Sequence, residues 1–203
     1  MADQLMSYFV RHGTTALNEN HSFRGPLNPP LDGEGIKDAM KLKEYFKGED
    51  FGDSFTSDKL RSQQTISAIL EPHGSDPKVD SGLNAWDVGY LGGKPKAGHE
   101  DEIAYYTQHA DEPIPGGESL NNFKSRVRPS IRHAIQRGAE TGLPSLVVAH
   151  SSIIHEIGTM FHGDHNHVLV KPGGVVGVYH RPGMGLYAKQ LIRPLTRPEG
   201  FGS

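Results

Sequence analysis

Short apolar runs alternate along this chain with longer stretches of helical periodicity, and that alternation restricts the fold more than any other feature. Leu5–Val10, Ser54–Ser57 and Leu146–Ala149 are too brief for helices and break at polar or glycine residues, so they read as strands. Between them, Asp32 stands where an N-cap belongs for a helix over about 33–47, with Ile36, Met40, Leu42, Tyr45 and Phe46 supplying a rough apolar face. A second helical stretch carries Leu60, Ile66, Ile69 and Leu70, and residues 72–100, rich in Gly and Pro, read as loop. From Ser119 onward Leu120, Phe123, Val127, Ile131 and Ile135 recur at helical spacing, with Pro129 set to kink that helix. Ser151–Phe161 extends as a further helix, and Val175–Tyr179 and Leu186–Ile192 close the pattern as a hairpin around Arg181-Pro182-Gly183. The prediction is one domain over residues 1–203: a three-layer α/β/α sandwich on a central, mostly parallel sheet.

Two of these strands end in histidine. Val10 leads into Arg11-His12-Gly13, and Ala149 leads into His150. Open α/β sheets place ligand sites at the carboxyl ends of their strands, so neighbouring parallel strands would bring His12 and His150 together there. The second strand adds Arg61, a few residues beyond Ser57. Arginine forks match phosphate oxygens, and a neutral histidine can attack phosphorus. The chemistry that this set implies is phosphoryl transfer through a phosphohistidine.

Composition narrows the alternatives. A net charge of -3 argues against a general nucleic-acid binder. The chain has no cysteine, which excludes disulfides and thiolate metal sites. The N-terminal MADQLMSYFV has neither a basic segment nor a signal-type apolar run, and no stretch nears the ~20 apolar residues of a membrane span. The expectation is a soluble, cytoplasmic protein whose partner is a small phosphorylated substrate, with no nucleic acid and no membrane. A homodimer is left open.

The ordered motifs carry a resemblance. Arg11-His12-Gly13-x-Thr15-x-x-Asn18 is followed by Gly25, Pro30-Leu31 with Gly35, Ser57-x-x-x-Arg61 with Thr65, Gly117-Glu118-Ser119 with Arg126, and the strand ending in His150. From about residue 8 to 155 this pattern resembles the histidine phosphatase superfamily, in its phosphoglycerate-mutase-like branch. The resemblance implies the phosphoglycerate-mutase-like fold, with His12 as nucleophile and Arg11, Arg61 and His150 completing a phosphate pocket. It implies that Asn18 touches the phosphate, and that the reaction needs no metal and no other cofactor. Gly25 and Arg24 belong to its substrate loop, and Ser151 opens the helix after His150. These are the expected substrate-binding residues.

One departure stands out. The family commonly carries its general acid as Glu in a segment L-x-E-x-x-x-G, here Leu83-Asn84-Ala85-Trp86-Asp87-Val88-Gly89, with Ala85 at the acid position. Asp87 is the first candidate to take over the proton, against a loop-capping role; Glu118 and Glu102 follow. Arg24 either binds a second anionic group or is simply solvated. His162, Asp164, His165 and His167 have the look of metal ligands but read better as a polar turn. Gly92-Gly93-Lys94 is followed by Pro95 where a phosphate-binding loop needs Ser or Thr, and is set aside. The expected activity is a phosphatase for a small phosphomonoester. The alternatives are a phosphoglycerate-type mutase or a catalytically weak phosphate-binding protein.

Overall fold

The computed structural model describes residues 2–163 and 168–192. In chain order its elements are β1 (Gln4–Arg11), α1 (Ala16–Glu19), α2 (Gly33–Phe46), β2 (Ser54–Thr56), α3 (Leu60–Leu70), β3 (Lys78–Val79), α4 (Glu100–Gln108), α5 (Leu120–Thr141), β4 (Ser145–Ala149), α6 (Ser151–His162), β5 (Val175–Arg181) and β6 (Gly185–Ile192). They build a six-stranded sheet in the order β3-β2-β4-β1-β5-β6. β1, β2, β3 and β4 run parallel, and β5 and β6 join as an antiparallel hairpin against β1. The expected α/β sandwich is therefore the observed one.

Alternation along the central strands splits the core in two. Tyr8 and Val10 of β1, with Leu146 and Val148 of β4, pack on Leu42 and Phe46 of α2 and on Ile66, Ile69 and Leu70 of α3. Phe9, Val147 and Ala149 point the other way, onto Phe123, Val127 and Ile131 of α5 and Ile153, Ile154 and Ile157 of α6. Each such fully buried side chain contributes about 1.5–3 kcal/mol of transfer free energy. That burial holds both helical layers against the sheet.

Several local expectations are revised. Asp32 caps α2 through Gly35 N–H, as its position suggested. Leu42 and Phe46 are buried as expected, yet Ile36 (57% exposed), Met40 (51%) and Tyr45 lie at the surface, and α2 buries Gly35 and Ala39 in their place. Leu60 is likewise exposed. α5 runs through Pro129 as one helix. The Gly- and Pro-rich stretch is not all loop, since it contains β3 and leads directly into α4. No helix among the described residues is long and apolar enough to cross a membrane.

Candidate active site

β1 and β4 are hydrogen-bonded neighbours, with Arg11 paired in register to Ala149. Their ends deliver His12 and His150 side by side, ring centroids 5.2 Å apart. His12 N–H donates to the Ala149 carbonyl at 3.0 Å, which ties the two strand ends together. The loop after His12 is pressed against the start of α2. A Cβ on Gly13 would stand 2.5 Å from the Gly35 carbonyl oxygen, so a glycine is required there. Asp38 of α2 accepts from the Thr14 backbone and hydroxyl, and Gly13 N–H donates to Thr65 of α3.

His12 is fully buried. Its Nδ1 lies 2.7 Å from its neighbour's carbonyl, Gly13 O, and Arg61 Nε donates to its Nε2 at 3.2 Å. With Nδ1–H spent on the carbonyl, the lone pair sits on Nε2. Burial, followed by the charges of Arg61, Arg24 and Arg11, holds the imidazole well below its usual pKa. The ring is neutral at pH 7. His150 is depressed in the same way, by burial and then by Arg61. Its Nε2 is 2.9 Å from Ser57 Oγ, and its Nδ1 is buried without a partner.

The arginines hold charge in a desolvated place. Arg61 is fully buried, donates Nη1 to the Leu27 carbonyl at 2.8 Å, and leaves Nη2 unpartnered. Arg11 donates Nη1 to the Val170 carbonyl at 2.7 Å and leaves Nε unpartnered. Burial, with the Arg24 charge adding to it, pushes the two down to about 10 and about 9. Unsatisfied buried donors converging on a neutral imidazole make a place for an oxyanion.

Above them opens a chamber of about 540 Å³, with His150, Ser151, Arg24, Gly25, Ala85 and Lys96 on its wall. Much of the remaining wall is apolar, including Phe23, Trp86, Ile103, Leu120, Phe123 and Leu169. Gly25, at φ +43°, turns the substrate loop against Val88, where a Cβ would meet Val88 Cγ2 at 2.6 Å. Asn18 accepts from Thr15 N–H and Oγ1–H with its amide oxygen, which caps the short α1. It does not line the chamber.

Asp87 is not brought to the chamber either. Its Oδ1 accepts Gly89 N–H at 2.9 Å, the capping role, and it lines an adjoining concavity with Glu118 and Arg126. Glu118 is spoken for by Arg126, which also donates to the carbonyls of Gly82, Asn84 and Ala85. That clamp, whose parts sequence reasoning treated only as motif, shapes the segment carrying Ala85 and Trp86. Lys96 was missed outright. An isolated bridge between Ser22 and Pro95 places it on the wall, a pairing with no local sequence signal.

Among the described residues no group of three or more His, Asp or Glu side chains could hold a metal ion. Of the histidine-rich run, positions 164–167 lie outside the described residues; His162 Nε2 is 2.8 Å from the Ala188 carbonyl.

This strand-end pocket and the sheet that presents it define a recognised class. The profile of the histidine phosphatase superfamily (branch 1) matches residues 7–170, and the chain belongs to that family. Among relatives, the 2,3-bisphosphoglycerate-dependent phosphoglycerate mutase of Afipia carboxidovorans is 30% identical over 167 residues, covering 77% of this chain and 80% of its own. The Brucella anthropi protein of the same name is 33% identical, covering 73% of this chain and 77% of its own. In fold the chain is similar to phosphoglycerate mutase from Bacillus anthracis (TM-score 0.78, 21% identity, 93% and 92% of the two chains). It is equally similar to a mycobacterial glucosyl-3-phosphoglycerate phosphatase (TM-score 0.77, 19% identity, 95% and 99%).

Proposed function

We propose that this protein is a phosphatase that takes the phosphoryl group of a small phosphomonoester onto His12 and then gives it to water. The observation that carries the reading is the neutral His12 imidazole, its Nδ1 fixed on Gly13 and its Nε2 directed at the Arg61 guanidinium. In the first step Arg61 Nε passes from His12 Nε2 to a phosphate oxygen, and the freed Nε2 lone pair forms the P–N bond while the bond from phosphorus to the leaving oxygen breaks. In the second, water oxygen attacks phosphorus, the P–N bond breaks, and the water proton passes to solvent. Arg11, Arg61 and His150 offer unpartnered or exchangeable donors for the equatorial oxygens, which is where charge gathers in phosphoryl transfer. Phosphate would replace the neutral Leu27 carbonyl on Arg61 Nη1. Ser151, on the chamber wall with Arg24 and Gly25, is assigned with them to the substrate, and Asn18, outside the chamber, to the phosphate through its amide nitrogen.

The mutase reading is favoured by the names of the relatives at about 30% identity. Against it stands Ala85, because shuttling a phosphoryl group between two alkyl hydroxyls needs a group that gives and retrieves protons. Acid trapping of the phosphoenzyme tests the common step, with label expected on wild type and lost in His12→Ala. Turnover of an aryl phosphate without 3-to-2 transfer on phosphoglycerate then supports the phosphatase, and transfer assigns the mutase. Phosphate binding with neither label nor turnover makes the protein a recognition module.

A further inference from the structure

Among the described residues, the chamber wall presents no free carboxyl group. Among its lining residues the sole carboxylate is Glu156, 4% exposed and bound by Arg128 Nε at 2.6 Å. Asp87, its Oδ1 accepting Gly89 N–H, lines the adjoining concavity and not the chamber, and Glu118 is held in the Arg126 clamp. Where the family resemblance would place the acid, Ala85 lines both concavities and offers no acidic side chain. His150, held neutral by burial and neighbouring cations, is a poor proton donor.

The same wall carries positive charge with nothing to neutralise it. Among the described residues, no hydrogen bond or ion pair engages the side chain of Arg24 or Lys96, yet both line the chamber beside His150. With Arg11 and Arg61 they make a set of four cations close enough to repel one another. One phosphoryl dianion balances only part of that charge. The surplus lies on the chamber side, where a leaving group would sit, and beyond it are the faces of Phe23, Trp86 and Phe123.

We propose that this site accepts phosphoryl donors whose leaving group departs as an oxyanion, received electrostatically by Arg24 and Lys96 instead of being protonated, with an apolar or aromatic body in the chamber. This rests on the phosphohistidine reading and narrows its substrate. The balance is simple. Nε2 of His12 bonds to phosphorus, the leaving oxygen keeps the electron pair of the broken bond, and no proton is transferred until the product reaches water. Two kinds of donor share this chemistry, aryl phosphates and phosphoanhydrides; alkyl phosphates do not.

The test is the dependence of kcat/KM on leaving-group pKa, measured on the full chain with substituted phenyl phosphates, glycerol phosphate and ADP. Wild type should lose about 10²–10⁴-fold between nitrophenyl and glycerol phosphate, the span that a general acid ordinarily removes. Ala85→Glu should regain glycerol phosphate turnover and flatten the dependence, and Arg24→Gln should lose most on the poorest leaving groups. Faster turnover of phenyl phosphate than of ADP names the aryl source, and the reverse names the anhydride. A flat dependence in wild type, or an equal loss across the series in Arg24→Gln, overturns the proposal. The phosphohistidine label is read separately on p-nitrophenyl phosphate. Label with a flat dependence sinks this inference alone, whereas no label sinks the mechanism beneath it.

Discussion

Arg61 Nε donates to His12 Nε2 across 3.2 Å, and both side chains are fully removed from solvent. A permanent cation pointed at a titratable ring opposes its protonation, so the pair keeps the ring neutral, and the lone pair becomes free to attack when Arg61 Nε passes to a phosphate oxygen. The activity consequence has a definite sign. The His12 limb of kcat/KM lies below the ordinary histidine value of 6.5, and activity falls only as pH drops through that lowered pKa. Rate profiles corrected for the substrate's own ionisation near pH 6 should show it. A His12 limb at or above 6.5 would contradict the geometry.

Stability follows the same two histidines. Unfolding frees His12 and His150 to bind protons that the folded rings refuse, so below 6.5 the unfolded state binds more protons. Their contribution is fully present above pH 6.5 and is lost as pH falls through the lowered folded values. The slope from both together approaches about 2.7 kcal/mol per pH unit at most. Denaturant melts at stepped pH should show it in wild type and about half of it in His12→Gln. Equal slopes would mean that His12 protonates as readily folded as unfolded.

Arg61 is a candidate for a trade between stability and activity. It is buried with, among the described residues, no carboxylate in contact, one nitrogen unpartnered and two bound to neutral acceptors. Replacing such a charge with an apolar side chain of similar length often costs nothing and can stabilise. Arg61→Met should therefore keep or raise Tm while cutting kcat/KM by about 10³-fold or more. Inorganic phosphate should raise the Tm of wild type and leave that of Arg61→Met unmoved. A clear drop in Tm without phosphate would show that the arginine is structural.

The same surplus of positive charge bears on metals. Arg11, Arg24 and Arg61 crowd the nucleophile, and a divalent cation placed there would meet repulsion and, among the described residues, no carboxylate ligand. Turnover should survive EDTA. Loss on chelation with recovery on adding Zn²⁺ or Mn²⁺ would instead direct attention to the histidine-rich run around His162.

How much of this the sequence disclosed depended on range. Strand ends at Val10 and Ala149 were legible because four to six apolar residues breaking into Arg11-His12 or His150 is a local pattern, and the parallel pairing of β1 with β4 did the rest. The Asp32 cap was local too. Which side of α2 faces inward was not, because Gly35 is buried by close approach to the loop at Thr14, and Ala39 is buried with it, while the larger Ile36 and Met40 stay outside. α4 went unnoticed since it lacks a side-chain cap and buries no residue fully. Asp87 illustrates the limit most directly. It is close to Ala85 in sequence, yet its Oδ1 accepts Gly89 N–H and it lines the adjoining concavity with Ala85 instead of the chamber, a division of the wall that no residue pattern reports.

The wall that carries Ala85 and Trp86 depends on Arg126. Its guanidinium donates to the carbonyls of Gly82, Asn84 and Ala85 and to both oxygens of Glu118, and Glu118 in turn accepts Asp87 N–H at 3.0 Å. Five acceptors converge on one planar group, an arrangement that a lysine point charge cannot reproduce. Arg126→Met would strand a half-buried carboxylate and the carbonyls together, a loss of about 2–4 kcal/mol. Arg126→Lys should recover the charge but not the fork, and lie between. Because His12, Arg11 and Arg61 are held by other elements, the reacting groups should survive and the chamber wall should loosen. KM for a bulky aryl phosphate should then rise several-fold more than kcat falls, whereas inorganic phosphate should bind nearly as before. Equal effects on phosphate binding and on aryl-substrate KM would show that Arg126 supports the whole domain rather than this wall.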